Sequence, residues 1–217
     1  MIHFDAVSKR YSTVSALSRV NLHIAPGEMA FLTGRSGAGK STLLKLAALL
    51  ETPTQGTIVI NGKNISRLSN SQVPAFRQQL GLILQEPCLL PDRTVFDNVA
   101  LPLIAKKKCA GFSDRIYTAL DSVGLLDKTS LFPQMLSIGE QRRVEIARAI
   151  VHQPALILAD EPTANLDQQT AINMLQLFVA LNKVGVTILI ATHDLLLIAA
   201  MPYRILTLKK GGLNHNG

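Results

Sequence analysis

Gly34-Arg35-Ser36-Gly37-Ala38-Gly39-Lys40-Ser41 decides the reading of this chain. The spacing is G-x-x-x-x-G-K-S. The apolar run Met29-Ala-Phe-Leu-Thr33 before it predicts a strand, and residues 41–50 after it predict a helix. Strand, glycine-rich turn and helix together make a phosphate loop. Glycines let backbone N–H groups curl around anionic oxygens, and the following helix aims its positive end at the same phosphates. Lys40 can reach the outer phosphates, and the Ser41 hydroxyl can ligate a cation. Thr42 extends the loop into the helix. The motif predicts a nucleoside triphosphate site without separating a kinase from an ATPase or a GTPase.

Outward from the loop, the pattern alternates. Residues 2–7 and 20–24 read as short strands before it, and residues 57–60 run as a strand into the turn Asn61-Gly62. β-type runs return at 156–159 and 186–191, with apolar residues at helical spacing over 168–181 between them. Strands alternating with helices predict a parallel α/β sheet. Residues 87–134 are helical in pattern and interrupted by prolines, with Lys106-Lys107-Lys108 as a solvated loop. A helical lobe over about 87–140, inserted into one 1–217 domain, is the expected organisation. The chain has 217 residues, 47% of them apolar, which is enough to bury a core. Its 22 Lys and Arg against 15 Asp and Glu give a formal charge of +7, which allows a nucleotide, a nucleic acid or an acidic membrane face. The opening residues carry an acid where an export leader is apolar, and residues 195–201 fall short of the ~20 that a spanning helix needs. Two isolated cysteines, Cys88 and Cys109, argue against a disulfide scaffold or a zinc site.

Leu156-Ile-Leu-Ala-Asp160-Glu161 is an apolar strand that ends in two acids. In a parallel sheet such a strand delivers them beside the phosphate loop. Asp160 then suits Mg²⁺, and Glu161 suits the attacking water. With these residues in place, the chain resembles the ATP-binding cassette (ABC) ATPases over nearly its full length. Tyr11 stands where that family stacks an aromatic on adenine. Gln85 matches the glutamine that links Mg²⁺ to a membrane partner. Leu136-Ser137-Ile138-Gly139-Glu140-Gln141 matches the signature motif, Asn165-Leu166-Asp167 the loop that crosses the dimer interface, and His193 the switch histidine. The resemblance implies a P-loop NTPase cassette with a mainly parallel sheet core, an antiparallel β part and an inserted α-helical lobe. It implies Glu161, His193 and Lys40 as catalytic residues, and Tyr11, residues 34–42 and Gln85 around ATP. Ser41, Gln85 and Asp160 would hold Mg²⁺, and Ser137, Gly139 and Glu140 would act on the ATP of the other subunit.

One residue departs from the family pattern. Ile138 replaces the first glycine of the signature, and a β-branched side chain tolerates positive φ badly. Ser137-x-x-Glu140 has the form of a capping box before the helical run at 144–151, so Ile138 is expected as the first helical residue, where any side chain fits. Arg142, Arg143 and Arg148 follow. They read first as solvated helix charge, and alternatively as support for the phosphate site or a partner. By resemblance, two cassettes pack head to tail as a homodimer when ATP binds. A lone cassette without a membrane span implies a separate integral membrane subunit and a peripheral position on the cytoplasmic face of the inner membrane. Residues 27–34, 36–45, 89–102, 184–187, 191–194 and 203–208 narrow the resemblance to the cell-division branch of the family. The ATPase of a lipoprotein-release complex is the alternative. A soluble ABC protein acting on nucleic acid or ribosomes is disfavoured by the single short cassette, and no nucleic acid partner is expected.

Overall fold

The computed structural model describes residues 1–86, 88–105, 111–199 and 201–214. The lysine run 106–108 and Cys109 lie outside the described residues. In chain order the elements begin with β1 (Ile2–Tyr11), β2 (Val14–Ile24), β3 (Met29–Thr33), α1 (Lys40–Ala47), β4 (Gln55–Ile60) and β5 (Lys63–Asn64). The middle holds α2 (Val73–Arg77), β6 (Leu80–Ile83), α3 (Val95–Ala105), α4 (Phe112–Ser122) and α5 (Ile138–Ile150). The last third holds β7 (Leu156–Asp160), α6 (Gln168–Lys183), β8 (Thr187–Ala191), α7 (Leu195–Ala199), β9 (Arg204–Lys209) and β10 (Gly212–Asn214).

The strands form two sheets. One is antiparallel, in the order β2-β1-β4-β5. The other runs β10-β9-β3-β8-β7-β6, parallel from β9 to β6, with β10 antiparallel at its edge. In the central strands β3, β8 and β7, alternate side chains enter opposite cores, because successive residues of a strand point to opposite faces. Ala30, Leu32, Leu158 and Leu189 meet α1 and the antiparallel sheet. Phe31, Ile157, Ile188 and Ile190 meet α3, α4, α5 and α6. The continuous apolar runs that predicted these strands are thus explained by burial on both sides.

Two strands are longer than the sequence pattern predicts. β1 continues past Val7 through the polar residues Ser8 to Tyr11, and β2 begins at Val14 rather than Val20. Ala6 and Arg19 adopt positive φ (47° and 46°), and the pairing register shifts at Phe4/Val7. Such a bulge breaks the two-residue period that a pattern search follows. Pro102 lies inside α3 rather than ending it. Among the described residues, no helix is long and apolar enough to cross a membrane.

Candidate functional site

The parallel strands β3, β8, β7 and β6 end on one edge of the sheet. β3 runs into Gly34. β7 ends at Asp160, which pairs with Ala191 at the end of β8, and β6 is followed by Gln85 and Glu86. Together with residues 34–42, these ends enclose a groove of about 730 Å³ that also contains Glu161, Asn165 and His193. The groove sits at the carboxyl ends of the strands, where open α/β sheets place their ligands.

The loop geometry follows from one contact. Gly39 has φ 108°, and a Cβ there would lie 2.6 Å from the Ala16 carbonyl oxygen. Only glycine lets the turn pass that close to β2. α1 then starts at Lys40 with no acid in its first turn, so its N–H groups and dipole face the groove without a competing carboxylate. Lys40 is buried, and its Nζ donates to the Gly34 carbonyl oxygen at 2.8 Å, which folds the ammonium back over the loop.

Asp160 is buried, and burial pushes its carboxyl above its ordinary value. The Ser41 hydroxyl and the Lys40 ammonium oppose that rise, while the neighbouring Glu161 adds to it. Its Oδ1 has no hydrogen-bond partner among the described residues. A buried carboxylate oxygen without a partner, beside a hydroxyl, forms a set of hard oxygen donors. Such a set suits Mg²⁺, which keeps several waters and takes its remaining ligands from phosphates. Gln85 lines the same groove.

Glu161 has a left-handed backbone (φ 51°), which is costly for a non-glycine residue and concentrates at functional sites. Its N–H donates to the Ala191 carbonyl at 2.9 Å, tying it to the end of β8. One carboxylate oxygen lies 2.8 Å from His193 Nδ1. The carboxylate is buried and the imidazole largely exposed, so the pair spans from the sheet edge to the open face of the groove.

The signature residues lie elsewhere. Ser137 caps α5. Its hydroxyl accepts from the Glu140 N–H at 3.3 Å, and the Glu140 carboxylate accepts from the Ser137 N–H at 2.8 Å, completing the capping box. Lys128 also bonds Glu140, and with the Ser137 N–H it holds that carboxyl down at about 2. Ile138 is the first helical residue and is 60% exposed, so its side chain meets no obstacle. Gly139 is the tight position. A Cβ there would lie 3.3 Å from the Asn165 carbonyl and from Leu166 Cδ2. Ser137, Gly139, Glu140, Asn165, Leu166 and Asp167 line a second surface recess of about 450 Å³. Asn165 borders both recesses. Asp167 has a further local task as the cap of α6, accepting from the Thr170 N–H at 3.0 Å.

Tyr11 stands apart from the groove lining. It is 39% exposed, with the Lys9 ammonium 4.8 Å from its ring centroid, and Val14, Ser15 and Ala16 form that side of the groove. The reading of three solvated arginines needs correction. Arg142 is 1% exposed, because its guanidinium pairs with buried Glu145 at 2.9 Å and donates to the carbonyls of Leu84 and Gln85. Arg143 donates to the carbonyls of Val123 and Gly124 after α4, and Arg148 to that of Cys88. The i,i+3 spacing of Arg142 and Glu145 was visible in the sequence, but the carbonyls that make the cluster hold were not.

The ABC transporter family model matches residues 17–164. The cell division ATP-binding protein FtsE of Escherichia coli K12 is 55% identical over 100% of this chain and 98% of its own length. FtsE of Haemophilus influenzae is 48% identical over 99% and 100%. The dimeric structure of MJ0796, a bacterial ABC transporter cassette, matches with a TM-score of 0.94 at 35% identity, covering 99% of this chain and 97% of that one. A post-hydrolysis state of the same cassette, bound to ADP and Pi, matches equally well. With the phosphate loop, the acid pair and His193 on one sheet edge, these likenesses identify the chain as a member of the ABC transporter family, one of its ATP-binding and ATP-hydrolysing cassettes.

Proposed function

We propose that this cassette serves a cell-division membrane complex, as the relatives named FtsE do. Its partner is an integral membrane subunit of the FtsX kind, and it lies peripherally on the cytoplasmic face of the inner membrane. ATP closes two copies head to tail, and closure passes a conformational signal across the membrane that controls cell-wall hydrolysis. The observation that carries this reading is the full-length identity to FtsE relatives. The separation of the signature recess from the phosphate groove supports the head-to-tail homodimer, since in one chain the two recesses are distinct and, among the described residues, share Asn165 alone.

The hydrolytic roles follow from the geometry. The phosphate loop and the start of α1 bind the triphosphate, with Lys40 leaving its Gly34 carbonyl for the outer phosphates. Glu161 orients the attacking water and takes its proton. His193, 2.8 Å from that carboxylate, fixes its direction and reaches the terminal phosphate. Ser41, Gln85 and Asp160 would hold Mg²⁺, which supplies charge stabilisation for the transferring phosphoryl group. The α5 N-terminus of the other subunit, capped by Ser137, offers free N–H groups to the terminal phosphate.

The test is the Glu161→Gln variant. ATP binding is expected to persist while hydrolysis falls by about 10²-fold or more, leaving a stable closed dimer in size-exclusion chromatography. Wild-type turnover would refute the role. A pull-down from solubilised membranes with that variant and ATP is expected to retain a subunit of the FtsX kind. Recovery of a partner with a lipoprotein-binding domain would instead favour lipoprotein release.

A further inference from the structure

The segment after β6 carries Gln85, and four of its backbone groups are held by side chains of α5. Arg142 donates to the carbonyls of Leu84 and Gln85. The Cys88 N–H donates to Glu145 Oε1 at 2.6 Å, and the Cys88 carbonyl accepts from Arg148 at 2.8 Å. The three side chains also bind one another. Glu145 accepts from Arg142 at 2.9 Å through one oxygen and from Arg148 at 3.3 Å through the other. Arg142 and Glu145 side chains are each 1% exposed, so neither charge has water as a substitute partner. A buried ion pair adds little net stability compared with apolar side chains of similar volume, but breaking one partner away is costly. Such a cluster is suited to fixing a position.

We propose that Arg142, Glu145 and Arg148 form a clamp that fastens the Gln85 segment to the signature helix, so that the two move as one body. Gln85 lines the nucleotide groove, whereas Ser137, at the start of the same helix, faces the recess offered to the other subunit. The clamp makes Gln85 follow whatever displaces α5. When the helix grips the nucleotide of the neighbouring subunit, its own Gln85 is repositioned in its own groove. Arg142, Glu145 and Arg148 are positioning residues in this scheme, since none lines that groove. Glu145 and Arg148 do line a separate surface groove of about 500 Å³ with Leu84 and Arg77, so a partner seated there would press on the clamp directly.

The inference rests on the ATP-hydrolysing reading, and its test has one arm that does not. The variants are Glu145→Ala, and the double change Arg142→Gln with Glu145→Ala, in the full chain. The single change leaves Arg142 charged and buried, and is expected to lower Tm. The double change removes both buried charges, and Tm is expected to recover most of that loss. In the double variant, hydrogen exchange of amides in residues 84–90 is expected to quicken by about 10-fold or more while the strand amides stay protected. With ATP, KM is expected within about 3-fold of wild type while kcat falls by about 10-fold or more. Adding Gln85→Ala is expected to lower kcat in the wild-type background and to change little in the double variant. Unchanged exchange of residues 84–90 in a folded double variant would overturn the clamp. So would an equal effect of Gln85→Ala in both backgrounds. A wild-type chain without ATPase activity would sink the hydrolytic reading, with the exchange result still deciding the clamp.

Discussion

Asp160 carries a local cost that a cation can relieve. Its carboxyl is buried, burial lifts it above its ordinary value of 3.8, and one oxygen is unpartnered among the described residues. A carboxyl whose folded value is raised prefers its proton in the folded state. Stability from that preference is present below 3.8 and lost as pH rises through the folded value. Asp160→Asn is therefore expected to raise the Tm of the nucleotide-free chain at pH 7, with the gain fading as pH falls through the raised folded value and gone below 3.8, while hydrolysis falls by about 10²-fold or more. A lower Tm at pH 7 would refute the assignment. At this scale, legibility depended on how local the determinant is. The phosphate loop was legible because glycine spacing, lysine and hydroxyl act within one turn. Arg142 was not, because its burial depends on carbonyls 57 and 58 residues away. Tyr11 had only its place in the motif order to speak for it, and its ring lies outside the groove lining.

Among the elements, α5 was the best announced. Ser137 and Glu140 named its first turn, and the capping box is formed as the spacing predicts. The helix start explains why Ile138 is accommodated and puts the constraint on Gly139, whose neighbours are Asn165 and Leu166. Ile138→Gly is expected to leave ATPase activity within about 2-fold and to cost about 0.5–1 kcal/mol of stability from helix propensity. Gly139→Ala gains that propensity, yet it pushes the 165–166 loop by a few tenths of an ångström. ATPase activity is expected to fall by about 10-fold or more, because small displacements at a reacting site are costly. A fully active Gly139→Ala variant, or an Ile138→Gly variant several times faster than wild type, would show the constraint to be elsewhere. β1 was legible only to Val7, since the bulge near Ala6 hides its second half from a two-residue pattern. β3, β7 and β8 were plain, because strands covered on both faces are written as unbroken apolar runs.

For the whole molecule, order was the legible quantity. Strand, loop, helical middle, acid pair and histidine occur in the sequence of one architecture, and the sheet gathers them on one edge although 159 positions separate Gly34 from His193. How the helical middle shares a core with Phe31, Ile157 and Ile190 was not legible, because that depends on which sheet face each strand residue chooses. The proposed two-fold homodimer adds a constraint to Asn165, whose loop borders its own nucleotide groove and the recess meant for the partner. Symmetry duplicates that residue, so each site would have a contact to the other and receive one in return. Mixed dimers with one Glu161→Gln subunit are then expected to retain well under half of wild-type turnover. Retention of half would mean that the sites fire independently. In the proposed homodimer, a loop of a few residues, held left-handed at Glu161 and at Asn165, would make the dimer rather than the chain the smallest unit with a complete cycle.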